Sequence, residues 1–520
     1  MNFNPLHKKK EILIVILCLF VGFALRFYTF EKKSLWIDEV HTLNDSRDDI
    51  RGQIKYFKEN PPDLLHPPLF FVLTHLFYPF PKPERDLRII PLIFGTLSIP
   101  MIYLLARLFS SSIALPCTLS LIFMTYHISF SQDGRPYTLL VFLGMVSVYF
   151  FLRYLKTFNK RELLFAALFY AISFYTSYAS IPFIALSQIL WFYQMTEHDK
   201  RPLFSSFLFL NGVTLLFCSP WILFMASKYT GQPVTDPVLT QELGSFWNIL
   251  TGVFNDWIPH APLTVISVAA FAIFPLCAKN RKNASVLLTV SLIPIIALFL
   301  YCDLLNVKHY FTSRYLIAFL PLFFITLYLA LDAIELRFHK LKRFLRLKLL
   351  FVILFIASNM TILPLYYHSE KQDFRGLVSY LESHLKDGDK VYVRSVAYLP
   401  GMLYYFGVRP KSRHYDLPLW WNESQKAVET RLSLASEKKK FSLIFSSSCC
   451  AQFVADGSRL WIVVGKPAAK ETKESFPCVL KGYFDGTFCN FRRFPEDASM
   501  YLFLWDPSSP EEKGIDIPLE

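Results

Sequence analysis

The amino-acid sequence predicts a mainly α-helical, polytopic membrane protein with a smaller α/β domain at its carboxyl-terminal end. Three observations carry this prediction: 53% of the 520 residues are hydrophobic, only 18% are charged, and the long apolar runs all lie before residue 369. An ordinary soluble protein has about a quarter of its residues charged. A single soluble chain could not build a core for so many apolar side chains. The same numbers exclude intrinsic disorder, collagen-like fibres and disulfide scaffolds.

The chain carries a net charge of +13, because it contains 54 Lys and Arg residues against 41 Asp and Glu residues. In a membrane protein such a surplus reports orientation, since Lys and Arg collect in cytoplasmic loops. We therefore attribute the basic excess to membrane topology and expect no nucleic-acid partner.

About eleven apolar runs are long enough to cross a membrane, which takes roughly 17–25 residues. The first run, residues 12–30, follows a basic stretch and precedes no small-residue cleavage site. We interpret it as an uncleaved helix with a cytoplasmic amino terminus, rather than as a signal peptide. The other spans are expected near residues 89–107, 112–130, 137–155, 162–180, 181–195, 203–223, 262–278, 284–302, 315–334 and 347–367.

The basic loops support this topology, because Arg107, Lys200 and residues 337–348 all fall on the cytoplasmic side. The apolar stretch 66–80 must then lie outside the membrane, since counting it as a span would invert every later helix. We predict it to be a surface helix within a first external loop of residues 31–88. The transmembrane domain then covers residues 1–368 of a multi-pass protein of the cell (inner) membrane.

Residues 369–520 alternate helical and strand patterns and are predicted to form an extracytoplasmic α/β domain. Residues 374–385 are amphipathic, whereas residues 390–394, 441–445 and 460–464 are typical of short strands. Disulfides can form in that compartment. One or two bridges and four free thiols stay equally open for the cysteines there, which are Cys449, Cys450, Cys478 and Cys489.

Three short motifs fall on the predicted external face. Residues 35–39 read Leu-Trp-Ile-Asp-Glu, residues 66–69 read His-Pro-Pro-Leu, and residues 131–137 read Ser-Gln-Asp-Gly-Arg-Pro-Tyr. Each also has a structural explanation: an interfacial tryptophan beside solvated acids, a proline-led helix start, and an ion pair between Asp133 and Arg135. A fourth candidate is the helix start at Arg314, whose charge could also contact lipid headgroups.

The ordered set of motifs resembles the bacterial relatives of the dolichyl-phosphate-mannose protein mannosyltransferases, which are GT-C type, glycosyltransferase family 39-like enzymes. The third motif of that family usually reads Ser-Gln-Glu-Ala-Arg-Pro-Tyr, so Asp133 and Gly134 depart from it. The Arg314-Tyr315 helix start and the segments 373–376 and 387–389 are also similar to many members. The resemblance covers most of the chain. It implies a GT-C fold and sugar transfer from a polyprenyl-phosphate carrier at the external membrane face.

Such a transfer needs a base for the acceptor proton and positive charge for the departing phosphate. We expect Asp38 to be the base, the role that the resemblance gives to the first acid of the pair, and Glu39 to orient Asp38 or the acceptor. At least one of these two carboxyl groups should have a pKa above its ordinary value of about 4. Arg135 and Arg314 are the candidates for the phosphate, because a guanidinium group binds phosphate through two hydrogen bonds.

His66 and Asp133 are expected to be supporting residues that shape the first loop or position Arg135. The expected reaction is a direct displacement with inversion at the anomeric carbon by a hexosyl- or pentosyl-type transferase. We expect no cofactor and no metal, although the nearby carboxylates do not exclude a divalent cation. The expected partners are a polyprenyl-phosphate sugar donor, an acceptor glycan, glycolipid or protein, and membrane lipid.

Two other classes of protein fit part of the sequence. A transporter or flippase of polyprenyl-linked lipids would explain external charges near the membrane, but such proteins typically carry midplane polar residues and repeated halves. A scaffold without catalysis would leave the Asp38–Glu39 pair unexplained. Neither the sugar nor the acceptor follows from the sequence.

Overall fold

The computed structural model describes residues 5–60, 66–194, 203–228, 246–304, 312–338, 346–410, 413, 420–422, 427–436, 439–446, 457–488, 494–509, 513–517 and 519. Helices dominate the part before residue 369. In chain order they are α1 (Pro5–Phe27), α2 (Ile37–Asp45), α3 (Ile50–Glu59), α4 (Leu69–His75), α5 (Pro83–Asp86), α6 (Ile89–Phe109), α7 (Ser111–Phe123), α8 (Thr125–Ser131), α9 (Tyr137–Thr157), α10 (Lys160–Phe174), α11 (Ser180–Ser187), α12 (Leu203–Lys228), α13 (Phe246–Trp257), α14 (Ala261–Cys277), α15 (Arg281–Leu304), α16 (Leu320–Arg337) and α17 (Leu347–His368). Two 3₁₀ helices, Gln188–Phe192 and Ser313–Phe319, precede α12 and α16.

Within the described residues, six helices are long and apolar enough to cross a membrane, and two bent pairs raise the number to eight. The six are Pro83–Phe109, Tyr137–Thr157, Phe204–Lys228, Arg281–Tyr301, Ser313–Arg337 and Leu347–His368. The pairs are α7 with α8, bent by 61°, and α13 with α14, bent by 113°. The protein is therefore a multi-pass membrane protein, but the predicted count of eleven spans is not confirmed.

The difference from eleven lies in three helices. The α10 helix has 15 residues and α11 has 8, fewer than the ~20 residues that a straight span needs. The α1 helix has 23 residues, but the apolar run between Glu11 and Arg26 covers only 14 of them, residues 12–25. Within the stretch 66–80 the structure has the helix α4, whose 7 residues are too short to cross a membrane, and its predicted place at the outer membrane face stays a prediction.

Arg26 stabilises the break between α7 and α8. A break frees backbone carbonyl groups, and these need protein donors because the bilayer core holds no water. Arg26 is fully buried and donates from Nη2 to the carbonyl of Leu121 at 2.8 Å and from Nη1 to that of Ile122 at 3.3 Å. Its Nη2 also lies 3.0 Å from Nδ1 of His127. The break turns the chain by 61° before it enters the third motif at 131–137.

The helices pack around α9 and α16, whose spans are largely buried, whereas most of α12 faces outward. The ring of Phe323 on α16 meets the rings of Phe254, Trp257 and Phe271 edge-on at 5.1–5.2 Å. Such aromatic pairs each contribute about 0.5–1.5 kcal/mol. They hold the bent pair α13–α14 against the centre of the bundle.

A seven-stranded mixed sheet forms the C-terminal part. The strands are β1 (Lys390–Val393), β2 (Trp420–Asn422), β3 (Ala427–Ser436), β4 (Lys439–Ser446), β5 (Leu460–Gly465), β6 (Val479–Phe484) and β9 (Met500–Trp505), with a separate two-stranded sheet of β7 (Thr487–Phe488) and β8 (Glu496–Asp497). The strand order of the large sheet is β2-β3-β4-β1-β5-β9-β6, and the central strand β1 is parallel to both β4 and β5. The helices are α18 (Phe374–His384), α19 (Leu399–Tyr405), which a 3₁₀ turn at Val396–Tyr398 precedes, and α20 (Lys466–Ser475).

Apolar side chains of α18 and α19 cover one face of this sheet, and α20 covers the other. The predicted helix and the three predicted strands of this part all appear, each within about two residues of its expected bounds. Cys449, Cys450 and Cys489 lie outside the described residues, so disulfide pairing stays untested.

Residues of the C-terminal part outside the strands are hydrogen-bonded to the chain just before α2. The backbone N–H of Ser34 donates to the carboxylate of Glu370 at 2.7 Å, and that of Leu35 donates to the hydroxyl of Tyr405 at 2.7 Å. Leu35 is fully buried. Buried backbone N–H groups outside helices and strands need acceptors, and those of Ser34 and Leu35 find them in the C-terminal part. These bonds fix the position of the start of α2 relative to the C-terminal part.

Candidate functional site

The α2 helix separates the two neighbouring acids of the first motif. Its first turn contains Asp38 and Glu39, whose negative charges suit the amino-terminal end of the helix dipole. Successive helical residues point about 100° apart. The Asp38 side chain is therefore 23% exposed, while that of Glu39 is fully buried.

Asp38 lies between the two arginines that the sequence predicted as phosphate ligands. Its Oδ2 is 3.3 Å from Nη1 of Arg314 and 3.8 Å from Nε of Arg135. Arg135 also donates from Nη1 to the Asp38 carbonyl at 3.3 Å and to the hydroxyl of Thr42 at 3.2 Å. Both guanidinium groups thus converge on one partly exposed carboxylate.

Aromatic rings hold the guanidinium group of Arg314. It lies 5.6 Å from the ring of Trp36, 5.9 Å from that of Tyr137, 5.4 Å from that of Tyr315 and 5.5 Å from that of Phe488. Each ring face attracts a cation with about 0.5–2 kcal/mol. Because Phe488 belongs to β7, the C-terminal part contributes directly to the surroundings of Asp38.

Glu39 forms a buried ion pair with Arg88. Arg88 donates from Nε and Nη2 to the two carboxylate oxygens at 2.7 and 2.6 Å, and both side chains are fully buried. The remaining Arg88 hydrogen bonds reach backbone carbonyl groups of Phe30, Lys33 and Ser34 at 3.0–3.1 Å. Breaking such a pair on one side costs about 3–5 kcal/mol. Glu39 therefore anchors the start of α2.

Gly134 in the third motif binds the same carboxylate. Its backbone N–H donates to Oε1 of Glu39 at 2.7 Å. A Cβ at this position would lie 3.0 Å from Cβ of Leu87 and 3.3 Å from Oε1 of Glu39. The glycine that departs from the family pattern thus lets the backbone approach Glu39 closely.

Asp133 does not form the ion pair with Arg135 that the sequence left open. Its Oδ1 accepts from Nε1 of Trp36 at 2.9 Å and lies 3.1 Å from Nζ of Lys371. Arg135 instead faces Asp38. The third motif therefore contacts both acids of the first motif, through Gly134 on one side and Arg135 on the other.

His66 is exposed and precedes α4, with its ring 6.1 Å from that of Phe71. Its charge and that of His41 lie close enough to Asp38 to lower the pKa of that carboxyl group. The residues of the fourth candidate segment from 308 to 311 lie outside the described part of the chain.

The expectation of a raised pKa in the acidic pair is wrong. Burial alone raises the pKa of Asp38, but Arg314 and Arg135 outweigh it, so the pKa lies below its ordinary value. Burial likewise opposes ionisation of Glu39, but Arg88 and then Lys371 bring its pKa below the ordinary value. The raised values are at Asp133, through burial, and at Asp45, where burial raises the pKa to about 7.

Three residues of the site did not emerge from the sequence: Arg88, Lys371 and Phe488. A charge at the outer end of the predicted span 89–107 could have pointed to Arg88, since such a charge needs a partner. Lys371 and Phe488 carry no comparable signal, because the fold of the C-terminal part brings them to the site.

A cavity opens between Lys371, Phe488 and Arg314, with Trp36 in its wall. Among the described residues, no three His, Cys, Asp or Glu side chains are placed to hold a metal ion.

Comparisons with known proteins agree with the motifs. Residues 65–224 match the family model described as dolichyl-phosphate-mannose-protein mannosyltransferase. The chain matches no curated protein sequence.

Two solved structures share the fold. They are ArnT from Cupriavidus metallidurans in the apo state and the same protein bound to undecaprenyl phosphate. The TM-score is 0.52 for both, with 14% and 13% sequence identity, covering 95% and 94% of this chain and 98% and 97% of ArnT. The family match and the shared fold together confirm the resemblance to the GT-C type transferases of glycosyltransferase family 39.

Proposed function

We propose that the protein is an integral membrane glycosyltransferase that moves a sugar from a polyprenyl-phosphate-linked donor to an acceptor hydroxyl with inversion. One observation carries this proposal: the carboxylate of Asp38 lies within 3.8 Å of two guanidinium groups at an accessible position. A base and a phosphate site are the two parts that such a transfer needs. That ArnT of similar fold was crystallised with undecaprenyl phosphate supports a polyprenyl carrier.

The proposed topology has about eleven transmembrane helices, a cytoplasmic amino terminus and an active site at the outer face of the cell membrane. The transmembrane domain comprises residues 1–368, with a first external loop of 31–88, and residues 369–520 form an extracytoplasmic domain. The alternation of basic loops supports this orientation. The contacts of Glu370 and Tyr405 with the chain just before α2 support a location of α2 and the C-terminal part on one side.

In the proposed reaction Asp38 accepts the proton of the acceptor hydroxyl. The hydroxyl oxygen forms a bond to the anomeric carbon, and the bond from that carbon to the phosphate oxygen breaks. The phosphate leaves with the bonding electrons, and Arg135 and Arg314 neutralise the charge that develops on it. The polyprenyl phosphate and the glycosylated acceptor are the products, so no co-reactant is needed.

The same two arginines couple donor binding to the basicity of Asp38. Without donor, their charges lower the pKa of Asp38, which keeps it ionised but makes it a weak base. A donor phosphate competes for both guanidinium groups. Asp38 then loses part of its electrostatic stabilisation, and its pKa rises toward the range that suits a general base.

Glu39 and Asp133 have positioning roles in this proposal. Of the two roles expected for Glu39, orientation of Asp38 fits its burial and its ion pair with Arg88. Asp133 holds Lys371 and the indole of Trp36, and the indole in turn faces Arg314. His66 adds positive potential near Asp38.

Sugar transfer by purified protein in lipid nanodiscs tests the proposal. A panel of polyprenyl-phosphate hexoses and pentoses serves as donor, and envelope extract supplies the acceptor. Asp38→Asn should lower transfer by about 10²–10⁴-fold, the usual contribution of a general base. Arg51→Gln, an exposed arginine outside the site, is the matched control.

Near-normal transfer by folded Asp38→Asn protein would remove Asp38 from the mechanism. Movement of the labelled lipid between leaflets by the unaltered protein, with no sugar transfer from any donor, would favour a transporter or flippase instead.

A further inference from the structure

A second cleft lies between the first external loop and the C-terminal part, away from the cavity beside Arg314. This interdomain cleft consists of two adjoining cavities of about 240 and 340 Å³, both lined by Asn44, Arg47 and Tyr78. The C-terminal part contributes Arg409 to the first cavity and a second arginine, at 413, to the other. Small-molecule sites typically measure about 300–1,000 Å³, so the cleft has room for a ligand.

Part of the charge in this cleft is internally neutralised. Arg413 lies 2.9 Å from the carboxylate of Asp48, and Lys55 lies 4.0 Å from that of Glu59. Arg413 is 5% exposed, and its guanidinium group lies 4.0 Å from the ring of Tyr56. These pairs contribute no net charge, and Arg413 joins Asp48 and the α3 residue Tyr56 to the C-terminal part.

The remaining two arginines give the interdomain cleft its positive charge. Nη1 of Arg47 donates to the carbonyl of Pro410 at 3.5 Å, and Nη1 of Arg409 donates to the carbonyl of Tyr404 at 2.5 Å. Neither forms an ion pair with a carboxylate in the described part of the chain. Both side chains are exposed. A guanidinium group has five N–H donors, so each keeps several for a ligand.

Aromatic surface accompanies these charges. The ring of Tyr78 is 54% exposed and stacks on that of His75 at 5.4 Å. The guanidinium group of Arg409 lies 4.1 Å from the ring of Tyr404, which lines the same cavity. An aromatic face suits the apolar C–H face of a sugar ring, and arginine suits a phosphate or carboxylate.

The α2 helix links this cleft to the proposed base. Asn44 lies six residues after Asp38 on α2, which is about 9 Å along the helix axis. The cleft is thus too far from Asp38 to hold the reacting hydroxyl, but a larger acceptor could reach both places. Binding energy from the part of the acceptor that does not react can help to lower the barrier of the transfer.

We propose that the interdomain cleft binds an anionic saccharide that forms part of the acceptor. This inference rests on the proposed transferase function. The shared chemistry is a sugar ring bearing a phosphate or carboxylate, which either the head group of a glycolipid or a soluble acidic glycan can supply. A purely structural role for Arg47 and Arg409 is a poor explanation, since exposed charged contacts add little to the stability of a fold.

Binding to the full-length protein in nanodiscs tests this proposal with a defined probe. The probe is a glucose disaccharide with one phosphate, and the control ligand is the same disaccharide without it. Each is offered free in solution and as the head group of a lipid. The phosphorylated form should bind at least ~10-fold more tightly in one or both presentations, because hydrogen bonds between charged groups are stronger than neutral ones.

Matched variants assign this affinity to the cleft. Arg47→Gln and Arg409→Gln should each weaken binding of the phosphorylated probe about 10-fold, whereas Arg51→Gln on α3 should not. Arg47→Lys keeps the charge and should bind the probe more tightly than Arg47→Gln does, which separates loss of charge from damage to the fold. Binding to the lipid head group alone would identify a glycolipid, and binding in both presentations would identify a soluble glycan.

Equal affinity for the phosphorylated and unphosphorylated probes, or unchanged affinity in both Gln variants, would overturn the proposal. Binding of undecaprenyl phosphate, measured in parallel, distinguishes the two proposals. If charge-selective probe binding fails while donor turnover persists, only the cleft assignment falls. If selective binding persists without any sugar transfer, the transferase proposal falls, and with it the identification of the saccharide as an acceptor.

Discussion

Asp38 and Glu39 are neighbours in sequence but belong to two different regions of the molecule. Glu39 lies in a fully buried hydrogen-bonded cluster with Arg88 and the backbone of Gly134. Asp38 lies in an accessible pocket with two arginines at 3.3 and 3.8 Å. The Glu39–Arg88 pair has two short hydrogen bonds and no solvent access, so it is a fixed part of the fold. The contacts of Asp38 are longer and partly exposed, so a bound anion can replace its carboxylate on the arginines. The comparison teaches that only one member of the acidic pair is free to meet a substrate.

The largest expected effect is on stability and concerns the buried cluster of Glu39 and Arg88. Arg88→Met leaves the Glu39 carboxylate buried without its partner, so the variant should lose about 3–5 kcal/mol of stability. Asp38→Asn should change stability by less than about 1 kcal/mol, as expected for partly exposed pairs. Thermal unfolding in detergent, followed by tryptophan fluorescence, measures both.

The double variant Arg88→Met with Glu39→Leu sharpens this test. Removing both charges should recover much of the loss, because a buried ion pair and an apolar pair of similar size are often equally stable. Equal stability loss for Asp38→Asn and Arg88→Met would erase the difference between the two regions.

The next effect concerns the accessible pocket. Arg314→Lys keeps the charge but loses the planar guanidinium group that suits a phosphate and the surrounding rings. Sugar transfer should fall about 10–100-fold, equivalent to the 1.5–3 kcal/mol of a charged hydrogen bond. The same substitution at Arg153, on the predicted cytoplasmic side, is the control. Unchanged transfer by Arg314→Lys would show that this pocket needs charge alone.

A smaller effect should appear with pH at the far end of α2. Burial raises the pKa of Asp45 to about 7, so between about pH 4 and 7 the folded state binds a proton that the unfolded chain releases. Stability therefore falls as pH rises through this window. Asp45→Asn should raise the melting temperature by a few degrees at pH 8 and by clearly less at pH 5. An equal shift at both pH values would contradict the buried, protonated carboxyl group.

Glu39 should respond to pH with the opposite sign. Its pKa lies below the ordinary value of about 4.3 in the folded state, so its contribution is complete above that pH and is lost on further acidification. The unaltered protein should therefore unfold more easily below about pH 4, and the Arg88→Met, Glu39→Leu variant should lose this dependence.

The smallest expected effect concerns the ring that the C-terminal part adds to the pocket. Phe488→Leu removes one of four rings around Arg314, each attracting the cation with about 0.5–1 kcal/mol. Sugar transfer should fall about 2–5-fold with the melting temperature unchanged. Substitution of Phe484, buried in the sheet, should instead lower the melting temperature.

Local patterns were sufficient for much of the fold. The amphipathic pattern of residues 374–385 and the alternation at 390–394 gave elements that the structure contains, because their faces are set by neighbours in sequence. The span count was less accurate, since hydropathy does not reveal the bends within α7–α8 and α13–α14. Those bends depend on distant contacts, such as the donation from Arg26 to the carbonyl of Leu121.

The candidate site could be predicted in part, because its motifs are short and local in the sequence. The motifs indicated Asp38, Arg135 and Arg314, and these side chains do converge. The partner of Glu39 could not be deduced, because Arg88 lies 49 positions away and the fold alone brings it close. The pKa values of Asp38 and Glu39 could not be predicted either, because they depend on arginines that the sequence does not assign to either acid.

Binding of undecaprenyl phosphate to Asp38→Asn protein tests the central claim most directly, namely that Asp38 and the donor phosphate compete for Arg135 and Arg314. Titration of the lipid into nanodisc-embedded protein should give tighter binding for Asp38→Asn than for the unaltered chain, together with loss of sugar transfer. Weaker binding, or tight binding with transfer intact, would contradict the account.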